Sequence, residues 1–166
     1  IADGTCGCAG TPIGGGCTVT ENLALNGTAT ESSVQLNADG SRAIDGNTNG
    51  DFYAGNSVTL TNWTSQPWVE VDLGEVGNIE TVNVWNRTDC CQGFLKNYYI
   101  LVSDVPFTST DLTATLAQSG VDGYLETATA DFPTATLINR TGRYVRIQLQ
   151  GTSFLGLAEL EIIGCI

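Results

Sequence analysis

The residues best suited to chemistry in this chain sit together as Arg87-Thr88-Asp89-Cys90-Cys91. A disulfide between adjacent cysteines closes an eight-membered ring and makes a hard apolar bump, here flanked by a guanidinium and a carboxylate. A sugar asks for such a surface, an apolar patch for its C–H face and fork-shaped donors for its hydroxyl oxygens. The bland reading is a surface ion pair beside two thiols. Redox chemistry is poorly supported, because no helix start accompanies the cysteine pair to lower a thiol pKa.

Two other constellations carry oxygen. Asp45-Gly46-Asn47 is a polar turn of the kind that suits a hard cation with six to eight oxygen ligands. Glu70/Asp72 and Glu159/Glu161 are carboxylate pairs at i, i+2 spacing, which places each pair on one face of a strand. A glycosidase needs two carboxylates facing each other across a sugar, and neither pair has an obvious partner across a cleft. Hydrolysis is therefore not expected.

Composition narrows the field further. The 166 residues include no histidine, which excludes a Ser-His-Asp triad, a histidine-bearing zinc site and a histidine base. With 18 acidic and 6 basic residues the net charge is −12, which argues against nucleic acid, an anionic membrane or a sulfated glycan as partner. A neutral glycan fits better. Six cysteines without any C-x2-C spacing favour disulfides and a secreted, extracellular setting over a thiolate metal site.

The elements that must position these residues read as short strands. Residues 1–20 hold three cysteines and Gly14-Gly15-Gly16, and form an expected linker or stapled extension towards a neighbouring module. From residue 21 to 166 the pattern turns to alternating runs, at 22–30, 68–73, 79–86, 98–103, 135–137, 144–150 and 157–164, with no convincing amphipathic helix. In 68–73, Glu70 and Asp72 interleave with apolar residues, so one face is expected to be wet. This is the pattern of an all-β fold, an antiparallel β-sandwich. Cys165 follows the last strand; pairing with Cys17, or alternatively Cys8, would close nearly the whole domain and be worth ~4–5 kcal/mol on chain entropy. Four Asn-x-Ser/Thr sequons occur, at Asn26, Asn62, Asn86 and Asn139. A glycan on Asn86 would crowd Arg87.

Several motifs line up in order: Glu21-Asn22-Leu23-Ala24, Ala43-Ile44-Asp45-Gly46-Asn47, Asp51-Phe52-Tyr53, Gln66-Pro67-Trp68-Val69-Glu70-Val71-Asp72-Leu73, Arg87-Thr88-Asp89-Cys90-Cys91, Gly142-Arg143-Tyr144-Val145 and Leu157-Ala158-Glu159-Leu160-Glu161. Together they resemble the F-type lectin (fucolectin) family, a discoidin-like jelly roll that binds fucose. The resemblance implies that Arg87 grips sugar hydroxyls, Asp89 orients the arginine and Cys90–Cys91 stacks on the ring, with Tyr53 and Phe94 as walls. It also implies a structural calcium ion held by the Asp45 and Glu159 side chains and the main-chain oxygens of Arg42, Asn47 and Ala158, with Asn56 at the remaining position. The family usually adds a histidine and a second basic residue to the fucose site. Here those positions fall at or near Thr59 and on Phe94, with Lys96 two residues further on. The expected function is non-catalytic binding of a neutral, fucose-like glycan by a targeting module of a larger polysaccharide-active or surface protein. The rival is a discoidin-like domain for protein or membrane adhesion, with Trp63, Phe94 and Phe154-Leu155 as spikes. Its basic support is thin.

Overall fold

Two strands in this chain are too long for one layer of a small domain, and they organise everything else. The computed structural model describes residues 19–166; all but the last two residues of the expected 1–20 extension, with Cys6, Cys8 and Cys17, lie outside the described residues. Cys165 is disulfide-bonded, but the choice between Cys8 and Cys17 likewise falls outside them. In chain order the elements are β1 (Glu21–Asn22), β2 (Thr28–Glu31), the one-turn helix α1 (Phe52–Gly55), β3 (Thr59–Leu60), β4 (Thr64–Ser65) and β5 (Trp68–Asn86). There follow β6 (Tyr98–Ser103), α2 (Leu112–Ala117), β7 (Val121–Glu126), β8 (Thr134–Leu149), β9 (Thr152–Ser153) and β10 (Gly156–Cys165). No helix among the described residues is long and apolar enough to cross a membrane.

The antiparallel path runs β1-β10-β5-β8-β6-β7, with β2 on β5 and β3 on β10. The first part of β5 pairs with β2 and with residues 144–148 of β8. After an irregularity between Asp72 and Gly77, the second part pairs with β10 and with residues 134–142 of β8. The two expected runs 68–73 and 79–86 are therefore one strand that passes from one layer to the other, and 135–137 and 144–150 are likewise joined. Gly74, at φ +87°, supplies a left-handed residue that a side chain would resist at this bend. Run 22–30 is instead two short strands around a 3₁₀ turn at Leu23–Asn26, and β7 has no counterpart among the expected strands.

Between the layers, Val69, Val71, Val145 and Ile147 meet Val82, Val84, Leu160 and Ile162 in one buried cluster. Alternation in runs 68–73 and 144–150 correctly points Val69, Val71, Val145 and Ile147 inward. It fails on the outer face, expected to be wet. Arg146 and Gln148 are buried there because the chain at 107–110 lies over them. Arg146 donates from Nε to Glu70 Oε2 at 2.8 Å and from Nη1 to the Ser109 carbonyl at 2.8 Å, and its guanidinium lies 4.8 Å from the Trp68 ring and 4.4 Å from that of Phe107. Gln148 Nε2 donates to the Thr110 carbonyl at 2.8 Å. Asp72 pairs with Arg143 through two hydrogen bonds of 2.7 and 2.9 Å. Each carboxylate of the Glu70/Asp72 pair thus has an arginine partner across the sheet.

Candidate functional site

β5 ends at Asn86, and what that residue does shapes the following loop. Its side chain is buried; Nδ2 donates to the carbonyls of Ala130 at 2.8 Å and Gln92 at 3.1 Å, while Oδ1 accepts from the Arg87 amide at 2.8 Å. Both amide hydrogens are occupied, so this sequon is no acceptor for a glycan in the folded protein. The loop is pinned on its other side by the Thr88 amide, which donates to Gly50 O at 2.8 Å. A Cβ on Gly50 would lie 2.5 Å from the Thr88 methyl and 2.7 Å from Asn86 O, so this close approach requires glycine.

On this loop Arg87 and Asp89 form a parallel fork, Nε to Oδ1 at 2.6 Å and Nη2 to Oδ2 at 2.8 Å. The guanidinium also lies over the buried Phe52 ring at 4.6 Å and near Tyr53 at 5.9 Å. Both aromatic rings are carried by α1, whose start is capped by Asp51 accepting from the Tyr53 and Ala54 amides. Hydrogen bonding from Arg87, chiefly, holds the Asp89 carboxyl down at about 2, so the pair stays ionised at neutral pH. The arginine is locked in orientation from two sides, with one edge left to bind. Cys90 and Cys91 are joined as a vicinal disulfide.

A cleft of about 140 Å³ opens here, lined by Arg87, Cys91, Phe94, Gln35, Leu60 and Phe154. Phe94 is 38% exposed and packs edge-on against Trp63 at 6.1 Å, which in turn meets Phe154 at 5.2 Å. Phe94 is therefore a wall, not core, and the expected spikes pack on one another instead of projecting singly. Leu155 is wholly buried. Tyr53, 79% exposed, stands beside the arginine at the rim. Lys96 is exposed on the loop before β6 and is not among the cleft's lining residues.

Thr59 is a correction. It is fully buried on β3, with its hydroxyl donating to Ala38 O at 3.2 Å, and cannot reach a ligand. The next residue, Leu60, points the other way and lines the cleft. Thr59→Val should therefore destabilise the fold by ~1 kcal/mol and leave ligand affinity unchanged, as thermal unfolding and titration calorimetry would read. Gln35, Leu60 and Phe154 were not anticipated as lining residues; only the neighbouring Phe154-Leu155 pair gave a signal, as exposed aromatic and apolar side chains on a loop.

The second constellation lies on β10 and the turn it faces. Glu159 is completely buried; Oε1 accepts from the Gly46 amide at 3.1 Å, and Oε2 has no hydrogen-bond partner. Burial first, then the charges of Asp45 and Glu161, push its carboxyl up to about 8. The turn is a ladder of side chain to backbone bonds, Asp45 Oδ1 accepting from Asn47 N at 2.8 Å and Asn47 Oδ1 from Asn49 N at 3.1 Å. Asn56 sits in a left-handed conformation at the end of α1. The Arg42 side chain is occupied, donating to Val58 O and Asn37 O. Among the described residues no three Asp, Glu, His or Cys side chains cluster, so a cation here would rely heavily on main-chain oxygens. A buried, unpartnered carboxylate oxygen beside a second acidic side chain is the environment a hard cation would satisfy. The other carboxylate of β10, Glu161, accepts from Asn83 and Trp85, each at 2.9 Å.

Comparison with known proteins agrees with this architecture. Residues 42–147 match the family described as NedA-like, galactose-binding domain, of the F5/F8 type C group. Fucolectin of Anguilla anguilla is 33% identical over 148 residues, covering 86% of this chain and 90% of the eel protein. A fucose binding module of Streptococcus pneumoniae superposes with a TM-score of 0.73 at 30% identity, covering 86% of this chain and 94% of the module. The serum F-lectin of striped bass, Morone saxatilis, gives 0.72 at 32% identity, over 88% of this chain and 49% of that one. These relatives are binding proteins, and this domain is non-catalytic. From the sandwich topology, the arginine fork beside a vicinal disulfide, and these matches over most of its length, the chain belongs to the F-type lectin (fucolectin) family of discoidin-like, F5/F8 type C domains.

Proposed function

We propose that this domain binds fucose, or a closely related neutral sugar, at the end of a glycan. The observation that carries the reading is the Arg87–Asp89 fork held on Phe52 beside Cys90–Cys91, in a cleft walled by Phe94. Arg87 donates to sugar hydroxyls, Asp89 fixes the plane of the guanidinium, and the disulfide with Phe94 receives the apolar face of the ring. Tyr53 closes the rim. Leu60 and Phe94 line the cleft without adding charge, so shape and stacking carry more of the recognition here than further ionic contacts do. The lectin relatives from eel and striped bass and the pneumococcal fucose binding module support the choice of sugar.

The Asp45–Glu159 region is assigned to a structural calcium ion, held by those two carboxylates with main-chain oxygens of Arg42, Asn47 and Ala158, and with Asn56 at the remaining position. The orphaned Glu159 Oε2 supports it. Bound there, the ion would neutralise a buried charge and fix the turn that leads into α1, without touching sugar. The disulfides and the serum relative support a secreted, extracellular protein, in which this domain serves as a targeting module beside other modules.

Titration calorimetry with L-fucose, D-galactose and D-glucose tests the reading. Saturable binding of L-fucose, with the other two at least about tenfold weaker, is expected; equal affinity for all three, or none, defeats it.

A further inference from the structure

A groove roomier than the arginine cleft lies beside it. It has a volume of about 410 Å³, within the range of small-molecule sites, and runs between the turn after β2, the segment from Asn62 to Trp68, and Thr110. No charged side chain lines it. Its walls are Trp63 and Trp68; between them lie hydroxyls and amides from Ser32, Ser33, Asn62 and Ser65.

Three features suit this groove to a sugar. The first is rigidity. Trp68 is stacked on Arg146, which is itself tied to Glu70 and Ser109. Trp63 is 56% exposed, yet held edge-on by Phe154 and Phe94. An exposed tryptophan immobilised in this way presents a fixed apolar face at little entropic cost. The second is hydrogen-bonding capacity. Ser32 Oγ accepts from the Trp68 amide at 3.1 Å and Ser33 Oγ from the Asn62 amide at 3.0 Å, so both hydroxyl protons remain to be donated, while Asn62 and Ser65 are exposed. The third is continuity. Trp63 lines this groove and packs on Phe94 and Phe154, two walls of the arginine cleft. A ligand leaving the cleft across these aromatics arrives in the groove.

We infer that the Trp63–Trp68 groove is a second subsite, which takes a further neutral pyranose of the same glycan whose terminal sugar occupies the Arg87 cleft. The inference rests on the function proposed above. It makes the domain a reader of oligosaccharides: the cleft recognises the terminal residue, and the groove discriminates among the sugars that carry it. Stacking on tryptophan and hydrogen bonds from uncharged groups select against uronic acids and sulfated residues.

The test compares L-fucose with 2′-fucosyllactose and 3-fucosyllactose by titration calorimetry, on the wild type and on two variants of exposed groove residues, Asn62→Ala and Ser65→Trp. For the wild type, one fucosyllactose should bind about tenfold more tightly than L-fucose. Ser65→Trp, which fills the groove, should remove that advantage, and Asn62→Ala should reduce it about threefold. Neither should change L-fucose affinity beyond about twofold. The subsite is overturned if neither trisaccharide outbinds L-fucose, or if the advantage survives both variants. It is overturned as well if both variants weaken L-fucose as much as the trisaccharide. Failure of the wild type to bind L-fucose at all defeats the parent reading instead, and the subsite falls with it.

Discussion

Arg87→Ala is expected to weaken L-fucose binding at least about 100-fold, since it removes two or more charge-assisted hydrogen bonds worth ~1.5–3 kcal/mol each. The fold should stay intact. Arg87 lies in a loop at the end of β5, pinned independently by the buried Asn86 side chain and by the Thr88–Gly50 backbone bond. What the fold does lose is the contact with Phe52 and a partly exposed ion pair, together ~1–2 kcal/mol. Arg87→Lys is the informative companion. It keeps the charge but not the planar fork that matches Asp89 with bonds of 2.6 and 2.8 Å, so binding should remain at least about tenfold below wild type. Calorimetry and thermal unfolding on the same samples separate the two effects. Undiminished affinity of the alanine variant would remove Arg87 from the site.

Chelation should produce the second large effect, and its pH dependence identifies the group responsible. Without a cation, the folded-state pKa of Glu159 is about 8, against an unfolded value of ~4.3. A raised carboxyl pKa means that the native state binds the proton more tightly than the unfolded state does. Stability is then unaffected below pH ~4, declines as pH rises from ~4 through about 8, and levels off above. The full span is on the order of 4–5 kcal/mol. A bound calcium ion reverses the preference, because it holds the carboxylate form. EDTA should therefore lower the melting temperature strongly at pH 8 and little at pH 5. Glu159→Gln should abolish both the calcium response and most of the pH slope. A melting temperature indifferent to EDTA at pH 8 would remove the ion from this site.

Residue periodicity located the inward residues of runs 68–73 and 144–150, because valine and isoleucine at alternating positions have one low-energy arrangement between two sheets. It failed where a second layer of contacts was added from far along the chain. Nothing near Gln148 announces that Thr110 will cover it, and Glu70 finds Arg146 only once β5 and β8 have paired. Gly74 falls in the gap between the expected runs 68–73 and 79–86 and is a bend inside one strand, since a left-handed residue serves a turn or a bend equally well. In the site, the loop motif from Arg87 to Cys91 was legible because its chemistry is local. Thr59 shows the opposite case. A shift of one residue on a strand exchanges the two faces, and the neighbouring Leu60 is the one in the cleft. The remaining walls, Gln35 and Phe154, come from loops whose conformation depends on distant packing, and carry no spacing rule.

β10 begins at Gly156, which borders the cleft, and by Gly164 it is paired with Glu21 on β1. At ~3.3 Å per residue, those eight steps amount to ~26 Å. Both flanks of the sandwich therefore leave from the end remote from the sugar site, side by side. A tether attached at either of these strand ends would join the domain at the end opposite the cleft. Under the proposed function this arrangement matters, because modest affinity at one domain is multiplied by effective concentration once two domains can reach one glycan-bearing surface. Strength of attachment then becomes a matter of spacing and copy number, open to adjustment without altering a single residue that touches the sugar.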